Sequence, residues 1–180
     1  MAKFLPEREK NMEIFTKIVS SGVGELTLCE HDGALCAAVF AGRPLPPGRQ
    51  IAQDTPLLLR AERQLAEYFA GVRRVFDVPL RPMGTDFQLR VWQALKEIPY
   101  GETRTYGQIA AAVGAPRACR AVGMANHMNP LPLFIPCHRV VGADGKLTGY
   151  AGGLWRKEKL LALERQALLP YVKLTSSGAK

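Results

Sequence analysis

Along the first part of the chain, residues 25–29 and 34–40 form two short β-type runs separated by a turn containing Asp32-Gly33. Asp-Gly between two such runs is a hairpin signal. A loop rich in proline and glycine follows at 42–48. Beyond it Leu58, Ala61, Leu65 and Phe69 recur at helical spacing, and Gly71 stands where a helix commonly closes. Residues 78–82 read as extended and lead to Gly84. The expectation for 1–83 is therefore a small α/β domain, a little sheet plus a helix.

The second half opens with a Thr-x-x-Gln capping box, Thr85 to Gln88, in which each side chain satisfies a free backbone N–H. Phe87, Val91, Leu95 and Ile98 then form one apolar stripe, which Pro99-Tyr100-Gly101 ends. A second box, Thr105 to Gln108, opens a short helix that stops at Gly114. Pro116 suits the first position of the next helix, which runs to about Met128 before Asn129-Pro130 interrupts it. On that helix Ala118, Ala121, Val122 and Ala125 make a small stripe that can pack inward. Arg117, Arg120, Met124 and His127 lie on another face. Two short helices joined across Gly114-Ala115 form a helix-turn-helix pattern. Arginines beside a long apolar side chain suit a helix that enters a DNA groove, and a plain solvated face has the same spacing. Residues 84–180 thus read as a mostly α-helical domain with a helix-turn-helix.

Charge sharpens this picture. The chain has 180 residues, with 24 lysines and arginines against 16 acidic residues. Residues 84–180 hold thirteen of the basic and six of the acidic ones, a net +7, against +1 for residues 1–83. A basic half beside a neutral one suggests an anionic partner such as nucleic acid. There is no apolar run of about eighteen residues, which argues against a membrane helix. The first residues are charged and broken by Pro6, unlike a secretory leader, so the expected location is cytoplasmic. Cys29, Cys36, Cys119 and Cys137 contain no Cys-x-x-Cys pair and read as free thiols.

Residues 131–141, apolar and bounded by prolines, read as a short buried strand that delivers Cys137 and His138 to its end. A thiol is mostly protonated at neutral pH, and only the thiolate is a strong nucleophile, so an adjacent base is the usual remedy. On a straight strand the two side chains would point to opposite faces, so the pair needs a bend. Near the C-terminus Leu160, Leu161, Glu164 and Leu168 share one helix face. A carboxylate on an apolar stripe is costly to bury without a partner. A histidine N–H would serve, and a position at the stripe's edge would leave Glu164 in solvent.

Pro136-Cys137-His138-Arg139-Val140 resembles the active-site signature of the O6-alkylguanine-DNA alkyltransferases, the methylated-DNA–protein-cysteine methyltransferases. The resemblance continues through Gly84-Thr85-x-Phe87-Gln88-x-x-Val91-Trp92, Ile98-Pro99-Tyr100-Gly101 and Arg120-Ala121-Val122-Gly123. It extends to Gly149-Tyr150-x-Gly152-Gly153-Leu154 and Leu160-Leu161-x-x-Glu164. It implies single-turnover transfer of an alkyl group from O6-alkylguanine in double-stranded DNA, approached through the minor groove by a monomer. Cys137 would be the acceptor, His138 the base acting through a water, and Glu164 the group that polarises it. Asn129 would brace the turn between recognition helix and active site. Arg120 would fill the gap left by the flipped base, Tyr106 would help flip it and donate to guanine N3, and Arg117, Ala121 and Gly123 would lie on the DNA side. Val140, Tyr150 and Ala151 would join Tyr106 around the base.

Two positions depart from the family pattern. His127 stands where glycine is frequent, and Cys119 stands where alanine is usual, which reads as a small packed residue. Cys29, His31 and Cys36 supply at most three metal ligands, so no metal and no cofactor is expected. A plain helix-turn-helix regulator would not need Cys137. A Cys-His hydrolase would need an oxyanion site, for which no motif stands out.

Overall fold

The computed structural model describes residues 12–175, with side chains as far as Ala167. The leader-like or leader-free character of residues 1–11 and the side chain of Leu168 lie outside the described residues. Strands β1 (Glu13–Ser21), β2 (Gly24–His31) and β3 (Ala34–Phe40) form an antiparallel meander. Strand β4 (Arg49–Ala52) runs parallel to β1, giving the order β3-β2-β1-β4. His31 pairs with Ala34, so the β2–β3 loop is Asp32-Gly33 alone, with φ of 49° and 72°. A two-residue type I′ turn needs left-handed values at both positions, which is why Asp-Gly marks it.

The pattern of the sequence did not reveal β1 and β4. In β1, Ile14 and Val19 are buried while Ile18 is exposed, so its apolar positions do not alternate. β4 is four residues long and mostly exposed.

Helix α1 (Pro56–Phe69) starts where Thr55 accepts the Leu58 N–H and Pro56 presets the first turn. It buries Leu58, Ala61, Leu65 and Tyr68. Tyr68, three positions after Leu65, is fully buried, whereas the expected Phe69 is only half-buried.

Both predicted capping boxes are present, at the starts of α2 (Asp86–Lys96) and α3 (Tyr106–Ala112). Helix α4 (Cys119–His127) begins three residues later than the proline signal implied. Ala118 N–H donates to the Ala115 carbonyl at 2.8 Å, so Pro116 and Arg117 are the middle of a turn. Proline favours that second turn position as much as a helix start. On α4, Val122, Ala125 and Asn126 are buried, whereas Ala121 is exposed and does not join an inward stripe. Cys119 is likewise exposed rather than packed.

Residues 131–141 are all buried, but they are not a strand. Pro132 bridges to Ile135, Leu133 takes a left-handed φ of 77°, and a 3-10 turn spans Cys137–Arg139. Only β6 (Val140–Val141) is extended, paired in parallel with β5 (Arg104–Thr105). An apolar run records burial and not conformation, so strand and buried turn look alike in sequence. Helix α5 (Leu154–Thr175) is the last element among the described residues.

The two halves share one core. Leu26, Leu35 and Tyr68 from the first half join Val91, Leu131 and Leu160 from the second. The β3 edge is covered from both halves: Leu35 bridges to Leu80 of the first, and Ala38 N–H donates to the Pro130 carbonyl of the second at 2.8 Å. Among the described residues no helix is long and apolar enough to cross a membrane.

Candidate active site

Cys137 and His138 sit on the 3-10 turn that bends the chain between Pro136 and β6. That turn is the bend a straight strand would have lacked. It lets neighbouring side chains serve one site, and it buries both: Cys137 is 3% exposed and His138 is fully buried. Asn126 Nδ2 donates to the Cys137 carbonyl at 3.2 Å, holding the turn to α4. Asn129 fixes the approach to it, donating to the Ile135 carbonyl at 2.8 Å and accepting the Leu131 N–H at 3.0 Å.

Glu164 comes from α5 and is fully buried. Its two oxygens accept from the Tyr68 hydroxyl (2.7 Å), the Gly101 N–H (2.8 Å), His138 Nε2 (2.9 Å) and the Arg139 guanidinium. Arg139 donates through Nε at 3.0 Å and Nη2 at 2.9 Å, and its Nη1 reaches the Ile98 carbonyl at 2.6 Å. Burial raises the carboxyl's pKa, but the His138 hydrogen bond and the Arg139 charge outweigh it and hold Glu164 down to about 2. Burial lowers the His138 pKa, against the pull of Glu164, and so favours the neutral ring. With Nε2–H donating to a carboxylate, Nδ1 carries the lone pair, and it has no hydrogen-bond partner among the described residues. Nδ1 is thus the ring atom left able to accept a proton.

Burial pushes the Cys137 thiol up to about 11, with Asn129 and the Lys157 charge pulling the other way. The resting sulfur is therefore a thiol. The Tyr150 hydroxyl lies beside the sulfur, close enough to favour its ionised form, and meets full hydrogen-bond geometry with no group among the described residues. Lys157 is fully buried, donates to the carbonyls of Val140 (2.5 Å) and Thr148 (2.8 Å), and is lowered to about 8 by burial. The Thr148 carbonyl also accepts the Tyr106 hydroxyl at 3.2 Å, which ties α3 to the loop before Tyr150.

The structure thus brings Cys137, His138, Glu164, Asn129, Val140 and Tyr150 together in the interior. Ala151 follows Tyr150 on the same loop, half-buried. Arg117, Arg120 and Ala121 are exposed on α4 and the turn before it, Gly123 is half-buried there, and Met124 and His127 are exposed with them. Cys29 and Cys36 are buried in the sheet, with the Cys36 thiol donating to the Cys29 carbonyl at 3.4 Å; the His31 ring faces the Glu13 carbonyl at 2.9 Å. Four contributors were not singled out from sequence: Tyr68, Asn126, Arg139 and Lys157. Lys157 was within reach of the same reasoning as Glu164, because it stands seven residues earlier on the apolar stripe of Leu160 and Leu161.

Comparison with known proteins places relatives beside this geometry. Residues 14–82 match the family description "6-O-methylguanine DNA methyltransferase, ribonuclease-like domain", and residues 86–166 match "6-O-methylguanine DNA methyltransferase, DNA binding domain". A methylated-DNA–protein-cysteine methyltransferase of Mycolicibacterium paratuberculosis is 50% identical over 151 residues, 83% of this chain and 92% of that one. One from Methanosarcina barkeri is 63% identical over 157 residues, 86% of this chain and 99% of that one. Among solved structures, Mycobacterium tuberculosis OGT in complex with DNA superposes with a TM-score of 0.78 at 47% identity, covering 86% of this chain and 94% of that one.

Proposed function

The chain belongs to the 6-O-methylguanine DNA methyltransferase family, and from that premise and the site's geometry we propose how it works. The protein repairs DNA by moving the alkyl group from guanine O6 onto its own cysteine, Cys137. The thiol proton passes through a water to His138 Nδ1. Sulfur then bonds to the alkyl carbon, the carbon–O6 bond breaks, and the departing guanine takes up the proton. The net exchange is alkyl for hydrogen. Glu164 stabilises the imidazolium formed on the way, and the Lys157 ammonium favours the transient thiolate. The product is a thioether without a good leaving group, so each molecule reacts once.

The reacting carbon is inside a duplex, and the nucleotide must be extruded at a cost of a few kcal/mol. Arg120 fills the vacated stack from the minor groove, with Arg117, Ala121 and Gly123 against the same surface. Tyr106 assists extrusion and donates to guanine N3. Tyr150 and the backbone at Val140 and Ala151 surround the base, and Asn129 keeps the turn beside it in place. Helices α3 and α4 form the DNA-reading pair, and the net +7 of residues 84–180 supplies phosphate contacts that offset part of the extrusion cost. The DNA complex of the M. tuberculosis relative supports DNA as the partner. We read the protein as a cytoplasmic monomer divided near Gly84, a division that the two matched stretches support.

The buried Cys137–His138–Glu164 arrangement carries this reading. Incubation with duplex DNA bearing methyl-labelled O6-methylguanine, followed by peptide mapping, should place label on Cys137. Cys137→Ala should take up none while binding DNA nearly as well. Label on Cys119, or none with binding intact, would refute the assignment.

A further inference from the structure

The segment 149–153, which carries Tyr150 and Ala151, belongs to no helix or strand and is closed by a single internal bond from Gly153 N–H to the Tyr150 carbonyl. Its outward carbonyls are held by two arginines. Ala151 accepts from Arg43 Nη1 at 3.0 Å, a contact that spans 108 residues of chain. Gly152 accepts from Arg156 Nη1, and Arg156 Nε donates to the Val23 carbonyl at 2.7 Å between β1 and β2. The Arg156 guanidinium lies 4.6 Å from the centre of the Phe40 ring and 4.4 Å from that of Trp155. Phe40 also presses directly on the segment, because a Cβ at Gly152 would fall 2.7 Å from its ring. Among the contacts to its carbonyls and to Gly152, Arg43 and Phe40 come from the first half of the chain, and Val23 of that half fixes Arg156 in turn.

The two anchors differ in kind. Arg156 is wedged between rings and bonded at both ends, which makes it part of the packing. Arg43 is exposed in the loop after β3 and reaches the segment through one charge-assisted hydrogen bond. That bond fixes the Ala151–Gly152 peptide, directly after the residues that would enclose the flipped base. Cys137 and His138 are held independently, by Asn126 and Glu164 on other elements.

We propose that Arg43 is a positioning residue for substrate capture: by holding the Ala151 carbonyl it keeps the base-enclosing segment in its binding form. The first half of the chain thereby sets how readily the base is accepted. This rests on the alkyltransferase reading above. Without Arg43 the segment samples other conformations, and apparent affinity falls in proportion to the competent fraction. Once the base is bound the segment is in place, and sulfur and ring stand where they did, so the limiting transfer rate is unaffected.

Single-turnover transfer from free O6-benzylguanine separates these quantities and leaves out phosphate contacts that an exposed arginine could make. Arg43→Ala should raise the half-saturating concentration about tenfold, with a limiting rate within about twofold of the parent. Arg43→Lys, which keeps one charged donor, should recover most of the loss, and neither variant should change the thermal midpoint appreciably. An unchanged half-saturating concentration in Arg43→Ala would overturn the proposal. So would a lowered limiting rate at unchanged half-saturation, or a lysine variant no better than alanine. A parent protein that takes up no label from DNA or from the free base would instead overturn the alkyltransferase reading itself.

Discussion

At Glu164 a single carboxylate accepts from a tyrosine, a backbone N–H, a histidine and an arginine, drawn from three separate parts of the chain: α1, the loop at Gly101 and the 3-10 turn. The folded carboxyl is held at about 2, below the ordinary 4.5, so the native state binds that proton more weakly than the unfolded chain. Its contribution to stability is therefore complete above about pH 4.5 and is lost as the pH falls toward about 2. Glu164→Gln leaves Arg139 buried without its counter-charge, which should cost about 3–5 kcal/mol at neutral pH. Urea unfolding of parent and variant should show that gap narrowing steadily through the acid range. A gap that stays constant would mean that Glu164 does not carry the charge assigned to it. At this scale the sequence was partly readable. A carboxylate on an apolar stripe demands partners, and the rule pointed to a histidine N–H. It could not name Tyr68 or Gly101, because they are 96 and 63 residues away and only the packed fold brings them near.

Helix α4 presents Arg120, Ala121, Met124 and His127 to solvent, while Val122, Ala125 and Asn126 face the core. If Arg120 fills the stack vacated by an extruded base, it matters only when there is a stack. Arg120→Ala should slow repair of alkylated duplex much more than transfer from a free alkylguanine. By analogy with stacking contacts of about 1–3 kcal/mol, the duplex rate should fall about tenfold or more. Equal losses on both substrates in parallel rate measurements would return Arg120 to an ordinary solvated face. Elements with strong local signals were legible: the two capping boxes and the Asp32-Gly33 turn all stand where local chemistry puts them. Those decided by tertiary packing were not. Pro116 fits a turn and a helix start equally well, and residues 131–136 show an apolar run whose left-handed Leu133 no pattern announces.

Across the whole molecule, one core runs through both halves, and the reactive turn lies inside it. β1 and β4 went unread because an irregular buried pattern and a short polar edge carry little periodic signal. Since Cys137 both attacks and keeps the group, the reaction as written needs no co-reactant. It should proceed in chelator and stop at no more than one alkyl group per molecule, counted by intact mass against label consumed. An added methyl or larger group in so tightly packed a site should cost about 1–3 kcal/mol. For a chain of this size that lowers the melting midpoint by about 2–12 °C, readable by calorimetry before and after reaction. Continued turnover with Cys137 recovered unmodified would contradict the scheme. The buried, protonated thiol also bears on time. A reagent that can be consumed only once has to survive the wait for a rare lesion, among peroxides and disulfides that attack exposed thiolates first. By keeping its sulfur buried and protonated, the fold gives the protein a shelf life.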